Sequence, residues 1–146
     1  MMLMSKNQLL AEAILISSYC DIVIKLMQIS KEMSVCKVII FTYVMKKKRF
    51  AHEEIYKGNT ENDILFKFIS EISGAYEDLC SNLEYIFKAI DLLISNNNLI
   101  IEGNVLKYKG TSEQPLYVVS KFTQKAILES RYVTERQVMK EVMRIV

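Results

Sequence analysis

Glycine and proline are scarce in this 146-residue chain, with four of the first and one of the second. A turn-dense β sandwich or barrel needs far more of both, so the scarcity argues for long helices with few breaks. Tryptophan is absent, and His52 is the single histidine. The three cysteines, Cys20, Cys36 and Cys80, lie far apart within apolar runs. No CxxC or paired Cys/His spacing exists, which argues against the usual zinc ligand sets. An odd number of dispersed thiols suits core residues in a reducing cytoplasm. The segment HEEIY lacks the second histidine of a zinc-protease helix. Gly58, Gly74, Gly103 and Gly110 are too scattered to cradle a phosphate, and no serine or cysteine sits in a nucleophile elbow. Neighbouring carboxylates such as Glu77 and Asp78 read as solvated helix residues, not a tuned acid–base pair. No catalytic residue, cofactor or metal is expected, and an enzyme is disfavoured.

Long apolar runs are also missing, since none approaches the ~18 consecutive apolar residues of a membrane span. The start, MMLMSKNQLLAEAILISSYC, superficially resembles a secretion signal. Glu12 interrupts its apolar run, however, and no small-residue cleavage site follows. A cytoplasmic protein without a membrane segment is the expectation. Net charge is only +2, too little for a chain-wide nucleic-acid or membrane signal. What the chain does have is apolar mass: 51% of residues, with mean hydropathy +0.13. That excess fits either a dense helical core or a surface reserved for a partner subunit.

The helices have readable starts. Ser5 with Gln8 forms a capping-box pattern opening a helix to about Ile29. Its seam is Leu9, Ala13, Ile16, Cys20, Val23 and Met27, widened by Leu10, Ile14, Ile22, Leu26 and Ile29. A helix this apolar is either the central helix of the core or shares its surface with a partner. From Ser34 to Lys48, SVCKVIIFTYVMKKK is rich in β-branched residues, yet its length, its Ser34 cap and its terminal lysines favour a helix. Lys46, Lys47, Lys48 and Arg49 then form the one strong charge run, either a contact for phosphate or an acidic partner or a solvated helix end. After an irregular stretch from Phe50 to Asn59, Thr60 and Asp63 open a helix through about Ser73. The next spans Ala75 to Ser95 with Leu79, Leu83, Ile86, Phe87, Ile90 and Leu93 inward. A hairpin follows, Leu99–Glu102 and Val105–Lys109 around a Gly103–Asn104 turn that tolerates positive φ. Leu116 to about Arg131 reads as a helix. Thr134 with Gln137 starts the last one, with Val138, Met139, Val142 and Met143 as its stripe and a packed C-terminus.

Helix followed directly by hairpin is the layout of a winged helix. The expectation is a single, mainly α domain. Residues 1–115 form a helical core with one β-hairpin wing, and residues 116–146 a helical extension. When such a module reads DNA, the helix before the wing enters the major groove and needs outward cations or amides. Here Glu77, Asp78, Glu84 and Asp91 face a single Lys88, a local charge of −3 (one minus four), which phosphates repel. Lys107 and Lys109 in the wing could touch a backbone but make a weak anchor alone. Docking to protein is therefore preferred over sequence reading. The runner-up is a DNA-binding transcription regulator, dimeric through the first or last helix.

The run YIFKAIDLLISNNNLIIEGNVLKY resembles the C-terminal portion of the middle component of bacterial ABC-three-component systems, where an AIDxL-like helix leads into a short turn and hairpin. SVCKVIIFTYVMKK is similar to the second helix of those proteins. Within that group, the small subunit of Lamassu-type anti-phage defence complexes is the implied relative, over roughly Ser34 to Gly110. The resemblance implies a non-enzymatic subunit between an SMC/Rad50-like ATPase and an effector, often a nuclease. On that reading the interface candidates are Leu9, Ala13, Ile16, Val23, Met27, Val138, Met139, Val142 and Met143. Lys46, Lys47, Lys48, Arg49, Lys107 and Lys109 are the candidates for DNA backbone or an acidic partner.

Overall fold

The computed structural model describes residues 5–47, 63–110 and 119–146. Helix α1, Lys6–Ser30, begins where expected: the Ser5 side chain accepts from the Gln8 N–H, and the Gln8 side chain accepts in return from the Ser5 N–H. Two orphan donors are satisfied reciprocally at this end. The helix closes at Lys31, a non-glycine residue at φ 70°. The chain then enters a strand that the sequence pattern does not reveal, β1, Glu32–Ser34.

Helix α2, Val35–Lys47, settles the helix-or-strand question, and Ser34 Oγ accepts from the Lys37 N–H at its start. Eight consecutive residues, Val38 to Met45, are buried. Their lack of a polar face follows from this: α2 packs against α1, α3, α4 and α6 and touches water on no side over two turns. It, rather than α1, is the central helix of the core. The cost is visible at Thr42, whose buried hydroxyl has no hydrogen-bond partner among the described residues.

Helix α3, Asp63–Ile69, tightens into a 3-10 turn at Ser70–Ile72 and so stops short of Ser73 as a regular helix. Phe68 stacks on Phe41 of α2, ring centroids 5.0 Å apart. Thr60 and the segment before it lie outside the described residues. Helix α4, Tyr76–Ser95, then runs into the triple-asparagine turn. Asn97 takes φ 63°, the Asn98 N–H donates to Leu93 C=O at 2.9 Å, and the Asn97 N–H to Ile94 C=O at 3.1 Å. This is a Schellman closure, with asparagine in the left-handed position that glycine commonly fills.

The turn delivers the chain to β2, Leu99–Glu102, and β3, Val105–Tyr108. The antiparallel sheet has the order β1-β3-β2, with Met33 opposite Leu106 and Leu99 opposite Tyr108. Met33, Leu99 and Leu106 close its core face. The hairpin reverses at Gly103, φ 62°; Asn104 does not share the positive φ. The fold is thus mainly α with a three-stranded winged sheet, one strand more than the hairpin alone.

The extension starts later than its composition suggests. Val119 and Ser120 are not helical, and Ser120 Oγ accepts from the Thr123 N–H at 3.0 Å to cap α5, Lys121–Glu129. Residues 116–118 lie outside the described residues. A 3-10 turn, Ser130–Tyr132, leads to α6, Glu135–Ile145, opened by the expected Thr134/Gln137 capping box. Ile145 and Val146 are half-buried, and the Ile145 C=O accepts from the Gly74 N–H at 3.0 Å.

Candidate docking surface

The helix that precedes the wing sets the character of the surface. Leu79, Ile86, Ala89, Ile90 and Leu93 bury one face of α4. On the adjoining flank stand Tyr76, Cys80, Leu83 and Phe87, at the steps of four and three that align residues along a helix. Tyr76 is 59% exposed and Phe87 46% exposed. The inward reading of Phe87 is thus overturned, because Phe87 lies to one side of the buried stripe of α4. Cys36 and Cys80 are exposed as well, and only Cys20 is partly enclosed, so two of the three thiols are not core residues. Along the helix the exposed carboxylates Glu77 and Glu84 lie between the aromatics, and the exposed Asp91 stands one turn beyond Phe87.

The remaining acid of α4 belongs to a polar staple joining three helices. Asp78 accepts from Lys47 Nζ at 2.8 Å and from the Tyr43 hydroxyl. One turn on, the Asn82 side chain donates to Asp78 C=O at 2.8 Å and accepts from the Tyr19 hydroxyl at 2.7 Å. The hydrogen bonds from Lys47 and then Tyr43 hold the Asp78 carboxyl below its usual range. Burial, and then the Asp78 charge, push Tyr19 up to about 12. Tyr43 moves in the same direction, through burial first and its bond to Asp78 second.

These bonds decide what the candidate cations can do. Lys47 is committed to Asp78, and Lys46 Nζ donates to Ser18 Oγ at 2.9 Å on α1. Lys48 and Arg49 lie outside the described residues. Lys88, the single cation of α4, is held between Glu12 at 2.6 Å and Glu84 at 3.1 Å. Lys107 pairs across the hairpin with Glu102 at 2.9 Å. Lys109 is exposed and makes no ion pair among the described residues. Exposed pairs of this kind contribute little to stability. They do neutralise the charge that a phosphate backbone would meet.

The wing tip is held against the body. Asn104 C=O accepts from the Val35 N–H at 2.8 Å, and its side-chain amide donates to Glu135 of α6 at 3.3 Å. Ile100 and Ile101 on β2, the open edge strand, are 39% and 46% exposed. Two further cations brace the extension against the winged core. Lys37 Nζ donates to Ser130 C=O at 2.8 Å and to Val133 C=O at 2.5 Å. Arg131 donates to Ser30 C=O at 2.8 Å, at the end of α1. Both side chains line one groove with Lys31, Met33 and Val105, but their donors already serve carbonyls.

The apolar interface candidates divide. Val23, Met27, Val138 and Val142 are buried in the chain's own core and present no surface, because α2 and its neighbours close over those positions. Ile16 and Met139 are half-buried. Leu9, Ala13 and Met143 stand in the open, joined by Leu10 and Ile14 at 61% each. Among the described residues no group of histidine, cysteine and carboxylate side chains could hold a metal ion, and no helix is long and apolar enough to cross a membrane. No family model, curated protein or solved structure matches the chain.

Proposed function

We propose that this chain is a non-catalytic docking subunit, which presents the outer flank of α4 and the wing to another protein. The observation that carries the reading is the pairing of exposed aromatics with neutralised cations: Tyr76 and Phe87 face solvent, while Lys47, Lys88 and Lys107 are already bound to carboxylates. Large aromatic side chains are the favoured anchors of protein interfaces. An acidic helix with one paired lysine is poorly suited to a DNA groove.

The likeness of the helix–hairpin run to the middle component of ABC-three-component systems supplies the partner class. The proposed partners are an SMC/Rad50-like ATPase and an effector such as a nuclease, in a cytoplasmic anti-phage complex, with DNA touched only through non-specific backbone contacts. The chain would dock on the ATPase and restrain or position the effector. The test is recovery of the tagged full chain from its native cells with identification of whatever stays bound. A large ATPase with a coiled-coil insertion is the expected companion of the wild-type chain, lost from Phe87→Asp. Recovery of an operator-like DNA segment and no ATPase would overturn the proposal in favour of a dimeric regulator.

A further inference from the structure

A second surface, distinct from the α4 flank, lies on the first half of α1. Lys6, Leu10, Ala13, Ser17 and Asp21 follow one another at steps of four and three, so they share a face, flanked by Leu9 and Ile14. The far side of the helix is the one turned toward α4, where Glu12 bonds Lys88 and Tyr19 bonds Asn82. Leu9 is 55% exposed, Leu10 and Ile14 61% each, and Ala13 and Ser17 are exposed too.

The order of residues along this face says what fits it. A cation, Lys6, stands at one end, an anion, Asp21, at the other, and apolar and small residues lie between. Neither Lys6 nor Asp21 makes an ion pair among the described residues. A face whose two ends carry opposite charge is complementary to itself when turned end for end, as a two-fold axis requires. Laying two such helices antiparallel, with the axis between Ala13 and Ile14, brings Lys6 of each copy level with Asp21 of the other. Ala13 and Ser17 are small enough to let the backbones approach, while Leu10 and Ile14 supply the interdigitating bulk.

We propose that a second copy of this chain occupies the α1 face, forming an antiparallel, two-fold symmetric dimer. Four turns of paired helix bury on the order of 1,000 Å² in total, the low end for a specific interface. An interface at this low end is expected to form and dissociate within the concentration range of an ordinary solution experiment. The proposal rests on α1 and not on the α4 flank, so it stands or fails independently of the docking reading above.

Sedimentation of the full chain across a concentration series tests it. The expected mass rises from the 17.0 kDa monomer to twice that value. Ile14→Asp holds the chain at monomer mass at every concentration with an unchanged circular dichroism spectrum, because the residue is exposed. Lys6→Asp weakens the dimer roughly tenfold by setting like charges opposite each other at both ends. The double variant with Lys6→Asp and Asp21→Lys restores it by reversing every pair. A chain that stays monomeric throughout, or a dimer indifferent to Ile14→Asp, overturns the proposal. Failure of the double variant to rescue overturns the antiparallel arrangement, which is its core.

Discussion

From Tyr19 to Ser30, the inner side of α1 is enclosed by α2, α4, α5 and the sheet, and Tyr19, Ile22, Val23, Leu26 and Met27 are each no more than 1% exposed. From Lys6 to Ser18 the same helix carries Leu9, Leu10, Ala13 and Ile14 in the open. The two halves share a helical seam and an apolar composition, and differ only in what covers them. Apolar content thus marks the surface that something must cover; neighbouring elements decide whether the chain covers it itself. The same contrast separates α2, buried on every side from Val38 to Met45, from α4, whose outer flank is aromatic yet exposed.

Truncations on α1 give the largest expected contrast. Leu26→Ala should cost about 3 kcal/mol in urea unfolding, through lost burial and a cavity beside α2. Leu10→Ala should cost under about 0.5 kcal/mol in the monomer. Equal losses would mean that the open half is covered in solution. Tyr19 marks the boundary between the halves. Tyr19→Phe leaves the Asn82 carbonyl short of a donor, an expected loss of about 1 kcal/mol. The sign of its pH effect follows from the raised value. The stability that Tyr19 contributes is fully present below its ordinary 10.0 and is lost as pH climbs toward about 12. Tyr19→Phe should therefore flatten part of the alkaline slope of unfolding and leave the neutral range parallel to wild type.

The buried helix offers a gain instead of a loss. Thr42→Val replaces an unpartnered hydroxyl by a methyl of similar shape, and should raise stability by about 1 kcal/mol. A decrease would show that the hydroxyl finds a partner in solution. Ser5→Ala is expected to have the smallest global effect. It removes a cap worth about 1 kcal/mol to the helix end, and should speed amide exchange between Gln8 and Ile14 while leaving the unfolding midpoint nearly unchanged.

Local chemistry was readable from the residues alone. Both capping boxes, the helix–hairpin run and the Gly103 reversal depend on neighbours within a few positions, which a single sequence displays. Strand β1 was not readable, because three residues become a strand only by pairing with β3 more than seventy positions later. Helical spacing points Phe87 inward because it fixes a direction but not the width of the covered stripe. The charge of α4 was visible as composition. Its pairing was not, since Lys47–Asp78 and Glu12–Lys88 are made between helices that only the fold brings together. The candidate cation Lys47 of α2 looks available in the sequence for that reason, whereas Lys107 pairs within its own hairpin.

The neutralised α4–wing surface can be tested most directly by titrating the isolated chain against a short labelled mixed-sequence duplex across a salt series. With Lys47, Lys88 and Lys107 held by carboxylates, binding should be no tighter than about 10 µM near physiological salt, and equally weak in Lys107→Ala. Submicromolar binding that falls steeply with added salt, and that Lys107→Ala and Lys109→Ala reduce, would contradict a surface built for protein docking.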